Sequence, residues 1–306
     1  MLALRSQLSK ESSLGERLIL CYGCPTLSLP LDTLRLETGP GTKMIRHLIT
    51  PIYHRLFDRE ILDFELKETK ATCDNCAMAP KEYRADLKCC TFEPFIPNYL
   101  VGAAFESAST APTALNVLKD KIKKRSLALP IGLSAPVRFQ IEFNHREDGE
   151  FGNREDWLCP YYSKETQNCG IWKHRGAVCT SYYCKSDAGS KGLKFWKALE
   201  NYIHYTEMAL MEESLVMLDF SPRQVNACLE YLNRIEGKGW EIKQDAMPLE
   251  LSKQLWNGYD DDPEGFYRKT YQRVMNLNKG DFRELLGDMG FDLEQQLLKA
   301  QRGIGK

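Results

Sequence analysis

The sequence lacks both an export signal and a membrane span. Met1 to Glu11 shows none of the charged-then-apolar order of a secretory leader, and no apolar run approaches the ~20 residues that a bilayer core demands. A cytoplasmic, non-membrane protein is the expectation. Excess charge of one sign is missing as well: 41 Lys and Arg face 42 Asp and Glu, for a formal net charge of -1. Without a general electrostatic pull toward phosphate, no nucleic-acid partner is expected. There is no internal repeat, no low-complexity tract, and no glycine-rich strand-to-helix turn of the kind that Rossmann-type enzymes use for a cofactor. Asp260-Asp-Asp-Pro-Glu264 lacks EF-hand spacing and reads as the acidic start of a helix. Among the 42 carboxylates no acid–base pair stands out, so no catalytic residue is nominated.

Cysteine is what the chain does have. Eight of its 11 cysteines fall in two groups: Cys73, Cys76, Cys89 and Cys90, then Cys159, Cys169, Cys179 and Cys184. In a reducing compartment such groups point to metal or redox chemistry rather than a disulfide framework. Both groups lie among prolines and polar residues, a poor setting for mere core packing. Thiolates are soft donors suited to zinc, iron–sulfur clusters or Cu(I), and a tetrahedral zinc site needs four ligands at about 2.3 Å. The Cys73-x-x-Cys76 spacing supplies two ligands from one turn. Cys89 and Cys90 are adjacent, so their side chains diverge; one of them is left to reach a second ion, bridge two ions, or remain free. Eight thiols make two four-ligand sites, or one site plus structural cysteines. His174 is an alternative ligand, or simply a polar loop position. Cys21 and Cys24 at the end of an apolar stretch, and Cys228 on an apolar helix face, read as packed bystanders.

The 306 residues suffice for one large domain or two modest ones. Residues 1–42 read as a short helix and irregular chain, 43–190 as a cysteine-rich domain, and 191–306 as a helical region. Ile45, Leu48, Ile49, Ile52 and Leu56 have helical spacing, interrupted by Pro51. His47 and His54 would share a face of an unbroken helix, and read as surface or packed residues. Prolines and the Cys89-Cys90 pair predict irregular chain from 73 to about 98. Pro112 to Arg125 reads as a helix, with the basic run Lys119 to Arg125 as its solvated end. Val137, Phe139, Ile141 and Phe143 alternate with polar residues, which predicts a strand and a small sheet beside the second cysteine group. Gly192 to Leu218 reads as one long helix. Ser221-Pro-Arg-Gln224 is a capping box opening another, with Val225, Cys228, Leu229, Leu232 and Ile235 on its face. Asp281 and Asp292 read as caps of two short helices. The fold class expected is α+β, mostly α-helical.

The two groups, ending in Cys159-Pro-Tyr-Tyr, Cys169-Gly-Ile171-Trp172-Lys-His-Arg175-Gly176-Ala-Val-Cys179 and Cys184, resemble the CxxCxxCC family of zinc- or iron-chelating proteins. The resemblance covers roughly Cys73 to Cys184. It departs from the family pattern at Gly176, where the family has proline, and in the longer gap from Cys76 to Cys89. It implies zinc or iron, including an iron–sulfur cluster, held by the eight thiols, and a site role for Arg175 in neutralising thiolate charge. The motif is also similar to the cysteine-rich part of flagellin lysine methylases. Three functions follow as expectations: a metal-binding protein for metal handling, sensing or stabilisation, with the C-terminal helices as scaffold or surface for a protein partner; an iron–sulfur enzyme such as a lysine methylase; or a thiol redox protein using Cys89-Cys90 or Cys21/Cys24.

Overall fold

The computed structural model describes residues 42–68, 76–125, 128–183, 185–238 and 247–304. The expected N-terminal helix, Cys21, Cys24, Cys73 and Cys184 lie outside the described residues. The fold is α+β and mostly helical, with small antiparallel sheets of two or three strands.

β1 (Thr42–Met44) pairs antiparallel with β2 (Glu65–Lys67). Between them run two 3-10 turns, Ile45–His47 and Pro51–Arg55, and the short α1 (Arg59–Leu62). Pro51 opens the second turn, where its missing N–H costs nothing, so the expected helix is divided there. Ile45, Leu48, Ile49, Ile52 and Leu56 are all buried. The described residues from 76 to 95 are turns and irregular chain, as the prolines require.

β3 (Ile96–Pro97) leads straight into α2 (Asn98–Glu106), a buried helix that the sequence reading did not assign. α3 (Pro112–Lys123) follows, and β4 (Ala128–Leu129) and β5 (Gly132–Leu133) join β3 in a sheet of order β3-β5-β4. The basic run is only partly a solvated end: Lys123, Lys124 and Arg125 are exposed, whereas Lys121 is half-buried, paired with Glu93 and donating to Ser134 O at 2.7 Å.

The expected strand at Val137 is instead a helix, α4 (Val137–Asn144). A period of two over four apolar positions also contains two i,i+4 pairs, Val137/Ile141 and Phe139/Phe143. The second pair stacks at 5.5 Å between ring centroids, against Phe92 and Trp157, and Arg138 Nε reaches Glu142 at 2.6 Å on the same helix. Pro136, which sits at the N-cap, suits a helix start. The small sheet beside the second cysteine group is the hairpin of β6 (Tyr162–Ser163) and β7 (Asn168–Cys169).

α5 (Ala177–Ser181) precedes the long α6 (Gly189–Val216), then α7 (Pro222–Lys238), α8 (Leu249–Trp256), α9 (Pro263–Met275) and α10 (Lys279–Ile304). The capping box at α7 is formed: Ser221 N donates to Gln224 Oε1 at 2.8 Å and Gln224 N to Ser221 Oγ at 3.4 Å. Asp262 caps α9 through Gly265 N at 2.9 Å. α10 is broken at Gly287, whose φ of 58° and ψ of -158° suit glycine alone. The expected caps differ: Asn278 accepts from Gly280 N at 2.7 Å and opens the first half, with Asp281 returning a bond to Asn278 N, while Asp292 lies inside the second half.

One hydrophobic core runs from Ile45 to Leu298, so residues 43–190 and 191–306 contribute to the same interior. α6 packs on α10, α5, α9 and α2, and α2 packs on α9. That last contact is close: a Cβ at Gly102 would lie 1.9 Å from Tyr267 O. Gly102→Ala should therefore force the two helices apart and cost roughly 2–3 kcal/mol in urea unfolding. A loss below about 0.5 kcal/mol would count against this packing.

Candidate metal centre

The two cysteine groups meet through the backbone. Cys159 N donates to Cys90 O at 2.8 Å, and Tyr162 N donates back to Cys159 O at 3.0 Å as the hairpin begins. The hairpin turns at Gln167, a residue with positive φ, and its register sets Cys169 opposite Tyr162. Gly170 N then donates to Tyr161 O at 2.7 Å, which turns the chain toward the 3-10 turn Trp172–His174 and α5, where Cys179 sits. On the other side, Lys88 takes a left-handed φ of 56° just before Cys89.

Five thiols from the two groups are thereby brought within electrostatic reach of one another. The Cys90 thiol hydrogen-bonds to Cys89, which holds Cys89 below the usual thiol range and Cys90 well above it. Cys89 is further lowered by the charges of Arg175 and Lys88, and Cys90 is raised further by burial, Cys89, Cys159 and Cys169. Burial pushes Cys159 well up, helped by Cys169, Glu93 and Cys179. Burial also raises Cys169, against the Arg175 charge. Among the described residues, no three or more His, Cys, Asp or Glu side chains are arranged to hold a metal ion. Cys76 packs with Cys89 on a small satellite cluster of Met78 and Tyr83, and Lys185 Nζ donates to Ala77 O at 3.2 Å beside it. Cys228 is fully buried in the main core, its thiol 3.9 Å from Leu255 O.

Arg175 is one of two buried cations acting on Cys89, with Lys88. It is buried, stacked 3.6 Å over the Trp172 ring, and donates from Nε to Trp172 O and from Nη1 to Cys179 O, both at 2.9 Å. Its Nη2 is buried and has no hydrogen-bond partner among the described residues. A buried guanidinium nitrogen without an acceptor is costly, and an anionic sulfur is the acceptor that the neighbouring thiols offer once ionised. The thiols are soft donors, and this guanidinium nitrogen is open to an anionic acceptor.

His174 does not belong to this group. It is buried with both ring nitrogens unpartnered, and burial, with a small contribution from Lys173, lowers it to about 4; no thiol contributes. Residues that the sequence reading missed are the buried Glu93 beside Cys159 and Tyr161, and Glu207 of α6 beside Ala177. Glu207 carried a signal: it interrupts the apolar stripe between Ile203 and Leu210.

No family model, curated protein or solved structure matches the chain.

A histidine whose folded pKa is depressed contributes stability that is present above its free value of 6.5 and is lost as pH falls through about 4. His174→Leu should therefore move the midpoint of acid unfolding to lower pH, leave stability at pH 7 no worse, and leave bound metal unchanged. Loss of metal in that variant, followed by elemental analysis, would make His174 a ligand after all.

Proposed function

We propose that this chain is a cysteine-ligated metal-binding protein of the CxxCxxCC kind, holding zinc or iron, the iron as ions or an iron–sulfur cluster. Cys90, Cys159, Cys169 and Cys179 are candidate ligands, drawn from both groups. Cys73, Cys76, Cys89 and Cys184 supply the remaining ligands or a second site. The observation that carries the reading is the unpartnered, buried Nη2 of Arg175, a cation felt at Cys89 in one group and Cys169 in the other. Four thiolates around a divalent ion leave a surplus negative charge, and a fixed guanidinium offsets part of it. Gly176 does not disturb this arrangement despite the family's proline. Its φ of -70° and the extended Arg175 before it, at ψ 140°, are what a proline would impose.

The role is metal handling, sensing or stabilisation of the module, in a reducing, cytoplasmic setting. No described helix is long and apolar enough to cross a membrane. Exposed Met289 and Phe291, just after the break in α10, support a protein partner at the C-terminal helices. A second reading, a thiol redox protein, is favoured by the hydrogen bond between the adjacent Cys89 and Cys90 thiols. An iron–sulfur lysine methylase is the enzymatic form of the first reading, and binding of S-adenosylmethionine by calorimetry tests it.

Anaerobic purification with elemental analysis decides the main proposal. Brown protein bleached by dithionite indicates iron–sulfur, and colourless protein with stoichiometric zinc indicates zinc. Cys90→Ser and Cys159→Ser should each lose metal, whereas Cys228→Ala should keep it at a cost of about 1 kcal/mol in stability. Arg175→Gln should weaken metal affinity roughly tenfold, about 1.4 kcal/mol. Metal-free protein in which thiol titration finds all eight cysteines reactive would sink the proposal.

A further inference from the structure

Four elements meet at one buried carboxyl. Glu207 of α6 accepts from Ala177 N, the first residue of α5, at 2.8 Å, and from Tyr53 OH at 3.3 Å. Tyr53 OH in turn lies 2.8 Å from Tyr99 OH on α2. The carboxyl lies close over Gly176: a Cβ there would be 3.3 Å from Glu207 Oε1 and 3.5 Å from Phe95 O. One residue earlier, Arg175 O accepts from Thr50 Oγ1 at 2.8 Å and from Thr180 Oγ1 at 3.2 Å. Thr50 immediately precedes the 3-10 turn that carries Tyr53. The segment from Thr50 to Tyr53 therefore grips the loop on both sides of Gly176, directly at Arg175 O and through Glu207 at the Ala177 amide. The Arg175 guanidinium and Cys179, itself tied to Arg175 Nη1 through its carbonyl, hang from this short stretch of backbone.

We propose that Glu207 is a positioning residue for the thiol group, fixing Arg175 and Cys179 through the Ala177 amide. The groups facing it from the elements around it are Tyr53, Tyr99 and the Ala177 amide, none of them a cation. Burial pushes its carboxyl up to about 8, opposed by the Ala177 and Tyr53 hydrogen bonds. Because the folded value lies above the free one, the contribution is fully present below about 4.5 and is lost as pH rises through about 8. Past that point the cost of burying the carboxylate outweighs the Ala177 and Tyr53 hydrogen bonds that favour it, which promotes opening to water, release of the Ala177 amide and movement of α5. The latch is a property of the metal-free chain; its consequence for metal binding rests on the function proposed above.

Hydrogen–deuterium exchange of the full, reduced, metal-free chain tests it, comparing wild type, Glu207→Gln and Glu207→Leu from pH 6 to 9. With intrinsic exchange rates corrected, protection of the α5 peptide relative to α10 peptides should fall about a hundredfold from pH 6 to pH 9 in wild type. It should stay flat in Glu207→Gln, which keeps the acceptor and cannot ionise, and be low throughout in Glu207→Leu. Identical pH responses in wild type and Glu207→Gln, or full α5 protection in Glu207→Leu at pH 6, would overturn the proposal. If Glu207→Gln does not fold, the wild-type ratio alone decides, and a flat one refutes it. Zinc titration of the same proteins separates the two readings. Zinc affinity at pH 7 should drop at least fivefold in Glu207→Leu and recover in Glu207→Gln; equal affinity in wild type and Glu207→Leu removes the positioning role. Failure of wild type to bind zinc or iron at all fells the metal reading, while the exchange data still judge the latch.

Discussion

Burying a polar group is costly unless it is hydrogen-bonded, and that requirement organises this chain more than any one apolar contact. Asn98 is the clearest case. It is fully buried at the start of α2; its Nδ2 donates to Pro130 O at 3.0 Å and Met211 O at 3.3 Å, and its Oδ1 accepts from Ser214 Oγ at 3.2 Å. One side chain thus ties the β3-β5-β4 sheet to α6. Glu68 does the same at the start of α6, accepting from Ser186 Oγ at 2.6 Å, Asp187 N at 2.8 Å and Trp196 Nε1 at 3.3 Å. Glu93 with Lys121, and Glu207 with Ala177 and Tyr53, complete the pattern. Loops too rich in proline and cysteine to form regular structure are pinned to the helices by these buried groups.

Against that background the two unsatisfied groups near the thiols differ in meaning. Arg175 keeps two of its three nitrogens bonded to backbone carbonyls and its plane against Trp172, so only Nη2 is open. A guanidinium held that rigidly loses little further entropy when it gains an acceptor. His174, two bonds short, responds to no thiol and answers the cost by staying neutral. The sequence alone ranked them in the same order, since arginine belonged to the motif and histidine did not, but it offered no physical reason for the ranking.

Much of the fold was legible in local rules. The capping box at Ser221, the acidic start at Asp262 and the division at Pro51 depend on neighbours within four residues, and each is formed. The failures needed distant partners. α4 reads as a strand until Phe92 and Trp157 are placed beside it. α2 is apolar on nearly every side, which removes the periodicity that marks a helix, because α6, α9 and the sheet enclose it. The thiols were legible as residues; their meeting was not, since the bond from Cys159 N to Cys90 O spans residues whose sequence separation predicts nothing. Glu207 was legible only as a charge in an apolar stripe.

The choice between metal and redox chemistry turns on how the positive charge is distributed. A redox dithiol is tuned by lowering the pKa of one attacking sulfur, and Cys89, paired with Cys90, has that character. Arg175, however, acts on Cys89 and Cys169, which belong to different groups and could not both be the attacking thiol of one pair. Cys159 and Cys169 also raise Cys90, and Cys179 raises Cys159, so ionising any one of these thiols makes the next harder to ionise. Burial and mutual repulsion hold Cys90, Cys159 and Cys169 in the neutral form, while Cys89 alone is lowered. A soft cation would offset those repulsions, because each thiolate formed would also face metal charge. On the function proposed above, the opposed ionisation of these thiols and the reach of Arg175 to both groups are what a metal site would use and a single dithiol pair would not.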